Sequence, residues 1–109
     1  MPRYLIQGSY TSAAASAFVS HPQDRAAGVQ TAAEKLGGKL ESIEFSLGEH
    51  DVHVIVALPD DVAAAALALA VNAPGHLKSY QTTRLLSAQE FLAAQQKAHN
   101  VGYKGPTKA

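Results

Sequence analysis

The chain contains no cysteine and no tryptophan. The first absence removes disulfides, thiolate nucleophiles and thiolate metal sites together. Net charge is also lacking, because nine basic and nine acidic side chains cancel. No global field therefore draws the chain to nucleic acid or to an anionic membrane. Long apolar runs are absent too: the most apolar stretch, Val62 to Ala73, is too short to span a bilayer. The first residues lack a basic region followed by an apolar one, so an export leader is not expected. No Gly-x-Ser-x-Gly elbow, phosphate loop or basic–aromatic pattern for RNA occurs, and no motif names a cofactor. These exclusions leave a cytoplasmic protein with one core, since 109 residues lie near the size where dimerisation aids stability.

What is present is clearest between Ile43 and Val56, where two alternating strands meet at Gly48-Glu49. Glycine at the first turn position predicts a two-residue type II′ hairpin. That register places Leu47 opposite His50, Ser46 opposite Asp51, Phe45 opposite Val52 and Glu44 opposite His53. One face is then Ile43, Phe45, Leu47, Val52, Val54 and Val56, with His50 at its rim. The other carries Glu44, Ser46, Asp51 and His53.

The remaining elements follow from caps and breaks. Arg3 to Tyr10 reads as a strand, and Thr11 or Ser12 caps a short helix ending at Ser20. His21-Pro22 interrupts, because proline removes a donor and disfavours helix in the preceding residue. Helix resumes from Gln23 to Leu36 with an apolar stripe at Ala26, Val29, Ala33 and Leu36, and Gly37-Gly38 stops it. Asp60 and Asp61 open an alanine-rich helix to Ala73. His76 to Leu86 reads as the last strand, and Ser87-Ala88-Gln89-Glu90 is a capping box for a helix to Ala98. The order β-α-β-β-α-β is an α+β, ferredoxin-like arrangement with a C-terminal helix. Residues 1–98 form the domain and 99–109 a tail. Both helical segments cover one sheet face; the other mixes polar groups with Leu5, Leu40 and Ile55. A second copy of the sheet covers that face economically, giving a dimeric α/β barrel.

Arg3-Tyr4-Leu5-Ile6-Gln7-Gly8-Ser9-Tyr10-Thr11 resembles the opening of GYD-domain proteins. The hairpin Leu47-Gly48-Glu49-His50-Asp51-Val52, the run Leu58-Pro59-Asp60-Asp61, and the closing Thr82 to Phe91 resemble later parts of the same family. The likeness covers roughly residues 3 to 92, and it rests on the order of these short motifs. The family's signature has a tyrosine where this chain has His50, between Gly48 and Asp51. The resemblance implies a ferredoxin-like domain that pairs as a dimeric α/β barrel. It implies no particular activity, because fold does not carry function.

The residues themselves offer three functional readings. In the first, a small homo-oligomeric protein binds a small ligand in a pocket on the open sheet face, lined by Gln7, Glu44, Asp51 and His53. In the second, a cofactor-independent monooxygenase- or isomerase-type enzyme uses His53 as acid/base, with Glu44 orienting it. In the third, the chain is a structural assembly module. The plainer account of Glu44 opposite His53 is a cross-strand pair contributing roughly 0.2–1 kcal/mol. His50 and His53, three apart on a strand, should point to opposite faces and not share a metal. No metal site is expected, and the partner expected is a second copy of the chain.

Overall fold

Alternation places each strand, and short polar side chains place each helix start. The computed structural model describes residues 1–106. Strand β1 (Arg3–Tyr10) buries Tyr4 and Ile6 on one side and leaves Leu5 and Gln7 half-buried on the other. Helix α1 (Ser12–Ser20) begins where the Thr11 hydroxyl accepts from the Ala14 N–H. Helix α2 (Arg25–Lys35) begins two residues later than the pattern predicts, because the Asp24 carboxylate accepts from the Ala26 N–H. Helix α3 (Asp61–Asn72) starts where Asp60 accepts from the Ala63 N–H. Helix α4 (Ala88–Val101) starts with the Ser87–Glu90 capping box and continues three residues past Ala98, to a left-handed Gly102. The predicted tail thus begins as the last turn of a helix, and its residues 107–109 lie outside the described residues.

Strands β2 (Lys39–Phe45), β3 (Val52–Ala57) and β4 (Leu77–Leu85) complete an antiparallel sheet of order β2-β3-β1-β4. The first and third strands are central, as the ferredoxin-like pattern requires, so His53 sits mid-sheet. Helices α2 and α3 cover one face, and Tyr4, Ile6, Val54, Val56, Leu58, Ala33 and Leu67 form the core there. Burying side chains of this size contributes roughly 1.5–3 kcal/mol each. No helix among the described residues is long and apolar enough to cross a membrane.

Several expectations are corrected by local geometry. Leu40 packs against the core and not on the open face, because the ladder shifts between Leu40 and Ser42. The extra residue, Glu41, reverses the alternation, as a bulge does, and its carboxylate meets Arg3 at 2.8 Å. Hairpin register is as expected, with Glu44 opposite His53 and Phe45 opposite Val52. The turn is not type II′, since Gly48 has no positive φ; residues 47–50 form an open loop. Phe45 and Leu47, expected to be buried, are 57% and 108% exposed. Both stand largely in solvent.

Two adjacent glycines serve different constraints. Gly37 takes φ +81°, the left-handed geometry that ends α2. At Gly38 a Cβ would lie 2.2 Å from the Ala57 carbonyl oxygen, so backbone meets backbone there. Gly38→Ala should cost about 3 kcal/mol through overpacking against rigid backbone. Gly37→Ala should cost about 1–2 kcal/mol. Urea denaturation of the two variants checks the order.

Tyr4 joins the sheet to α3: its hydroxyl donates to Asp61 Oδ1 at 2.6 Å. Burial, then the Asp61 hydrogen bond, raise the phenol above its ordinary value of 10.0. A raised folded value means the neutral phenol's contribution is complete below pH 10 and is lost as pH rises through that value. Tyr4→Phe should lower stability by about 1 kcal/mol at neutral pH and flatten the alkaline decline. Urea midpoints measured across the alkaline range give both quantities.

Candidate functional site

The open sheet face is built from the odd positions of β1 and β3, where Gln7 stands directly opposite His53. Gln7 Nε2 lies 3.2 Å from His53 Nδ1, and Ser46 Oγ lies 2.7 Å from His53 Nε2. The Ser46 hydroxyl also donates to the His50 carbonyl oxygen. A carbonyl only accepts, so the single serine proton goes there, and Ser46 Oγ must accept from an Nε2–H. The Gln7 amide then donates to the Nδ1 lone pair. The network selects one neutral tautomer, with the proton on Nε2. Turning the Gln7 amide over would let its oxygen accept from Nδ1–H, so the same partners suit an imidazolium.

Sequence pairing placed Glu44 beside this ring, and the register agrees. The carboxylate–imidazole contact itself does not form: the ion pairs among the described residues are Arg3–Glu41 and Arg84–Glu90. Glu44 lies exposed on the edge strand β2, where water solvates it, and Ser46 occupies the ring nitrogen. Asp51 is engaged by backbone, accepting from the Tyr10 N–H at 2.9 Å while its own N–H donates to Gly8 C=O. It anchors the loop to the end of β1. Ser9, 4% exposed, does the same through the Glu49 carbonyl.

His50 departs from expectation. Its ring meets the His53 ring edge-on, with centroids 6.3 Å apart. Strand alternation does not extend into the loop that holds His50, so the opposite-face argument fails there. His50 Nδ1 is buried without a hydrogen-bond partner. Among the described residues no group of three or more histidine, cysteine, aspartate or glutamate side chains converges on one point. The structure therefore brings together Gln7, Ser46, His50 and His53. Of these, Ser46 was legible only as a residue on the same face, because its hydroxyl reaches His53 across a loop.

The face covered by helices holds a separate feature, a cavity of about 460 Å³ between α1, α2, α3 and the sheet. Its lining comes from helices and strands far apart in the chain, so sequence spacing gave no sign of it.

Ser46→Ala removes the acceptor that selects the Nε2–H tautomer. Nitrogen NMR of the His53 ring should show the protonated nitrogen at Nε2 in the native chain and a mixture of tautomers in the variant. The lost hydrogen bond should reduce stability by about 1 kcal/mol.

No curated protein matches the chain. The family model of the GYD domain matches residues 4–94, from the buried Tyr4 of β1 into α4. With that match covering all four strands and most of the 109 residues, the chain belongs to the GYD domain family.

Proposed function

We propose that this GYD-domain protein works as a homodimer whose open sheet faces meet in an α/β barrel, and that a small ligand is held between them at the His53 cluster. The observation that carries this reading is the one-sided cover of the sheet. Helices pack on one face, while Leu5 and Ile55 stand half-buried on the other beside a closed polar network. A two-layer domain leaves such a face for a partner, and a face that meets its own copy is satisfied by twofold symmetry.

Helix α4 supports the same reading. None of its residues is buried, and Phe91 and Leu92 are more than half exposed. The radius of gyration is 17.8 Å, against about 13 Å for a compact chain of roughly this length. An amphipathic helix standing off its own body is suited to lie along a second copy.

The enzymatic reading, with His53 as acid/base, has a specific requirement. Both ring nitrogens are engaged, so Gln7 must leave Nδ1 before that nitrogen can take a proton from a substrate. The assembly-module reading needs the dimer alone.

Sedimentation velocity of the full chain should show a dimer at micromolar concentration, and Ile55→Asp should convert it to a folded monomer. A monomeric native chain overturns the proposal. Native mass spectrometry of the dimer tests the ligand: retained mass that disappears in His53→Ala supports the sheet-face site, and bare dimers in both leave the assembly reading.

A further inference from the structure

The cavity on the helix side is separate from the His53 face, and its lining is uneven in a way that specifies chemistry. Its floor is the sheet at Ile6, Gly8, Val52 and Val54; its walls include Phe18 from α1, Val29 from α2 and Leu67 from α3. Tyr10 and Phe18 meet edge-to-face at 4.9 Å along one side. Two glycines hold it open. At Gly8 a Cβ would press on the Ser79 carbonyl oxygen at 3.0 Å, so the floor stays bare there. At Gly28 a Cβ would sit 3.4 Å from the Arg25 guanidinium, which lies folded over that bare position.

Five lining residues carry polar side chains: Tyr10, Gln23, Arg25, His76 and Tyr80. Arg25 is its one permanently charged side chain, and no aspartate or glutamate is among the lining residues. Arg25 donates to the Gln23 side chain and has no carboxylate partner among the described residues. Tyr80, which stands opposite Gly8 across the β1–β4 ladder, has a buried hydroxyl with no hydrogen-bond partner. A buried phenolic O–H without an acceptor carries an uncompensated desolvation cost, and a bound acceptor removes it. Burial raises the Tyr80 phenol, partly offset by the Thr82 hydroxyl donating towards its oxygen; the phenol keeps its own proton at neutral pH, with no acceptor for it.

We propose that this cavity binds a small amphipathic carboxylic acid, its apolar body among the aliphatic and aromatic walls and its carboxylate meeting Arg25 and Tyr80. A volume of about 460 Å³ falls within the range of small-molecule pockets. At ~30 Å³ per water-sized group it accommodates roughly 10–15 non-hydrogen atoms. The positive, carboxylate-free lining selects an anion over a neutral or cationic analogue.

Decanoate is the probe of suitable size, with decanol as its neutral counterpart. Titrated into the full-length protein, decanoate should shift the amide NMR signals of Gly8, Gly28 and Ala70, and should bind about tenfold more tightly than decanol. Tyr80→Phe should weaken decanoate by roughly tenfold and leave decanol nearly unchanged. Ala70→Phe, on the cavity wall, should abolish binding of both. The proposal is overturned if saturating decanoate moves none of those amides, or moves only residues of α4 or the His53 face. Equal affinity for decanol overturns the choice of an acid. If Ala70→Phe fails to fold, the native-chain map decides alone. Because the map separates the two sheet faces, a failure here is distinct from a failure of the dimer reading.

Discussion

A sheet of four strands has two faces, and this chain has helices enough for one. Everything else in the molecule follows from that imbalance. On the covered side, Tyr4, Val54, Val56 and Leu67 build an apolar core, and the Tyr4–Asp61 hydrogen bond ties the sheet to α3. On the bare side, apolar Leu5 and Ile55 lie among polar residues that hydrogen-bond one another. A polar group half-removed from water needs a partner, and the Gln7–His53–Ser46 chain supplies one at both ring nitrogens. The His53 ring therefore keeps both partners when water leaves, while His50 Nδ1 beside it stays without one.

The covered side is not filled evenly. Alanine-rich helices bring little volume, and Gly8 and Gly28 remove more, so a space of about 460 Å³ stays open where larger side chains would have closed it. Well-packed cores leave few voids larger than a water. A space this large beside a tight core, holding an unpartnered hydroxyl, is a property of the site and not of loose folding. The two sides of the sheet thus present different chemistries, one polar around the His53 ring, the other an apolar cavity with the Arg25 charge of α2 on its wall.

Helix α4 shows how local and tertiary signals separate. Its capping box satisfies the first free N–H groups locally, so where the helix begins is set by its own sequence. Where it lies is another matter. Apart from the Arg84–Glu90 pair at its base, it is held by none of the chain's other charged groups among the described residues, and its apolar residues face outward. The same division appears at the hairpin tip, where Phe45 and Leu47 follow the alternating pattern but stay exposed.

Strand alternation, caps and glycine stops were enough to read the element order and the opposition of Glu44 and His53, because each depends on neighbours a few residues apart; the central place of β1 and β3 came from the ferredoxin-like pattern, since their pairing joins distant parts of the chain. The bulge at Glu41 was not legible, and it moved Leu40 from one face to the other; nothing in Lys39 to Ser42 marks an inserted residue. Glu44 illustrates the same limit at the site. Register put it across from His53, yet the ring nitrogens went to Gln7 and Ser46, which a strand pattern cannot rank. His50 came beside His53 because loop backbone does not alternate. Local rules determined which residues form strands and helices and that β2 pairs with β3 through the hairpin. Tertiary structure alone decided which polar groups touch and where space remains, because contacts and voids depend on side chains brought together from distant parts of the chain.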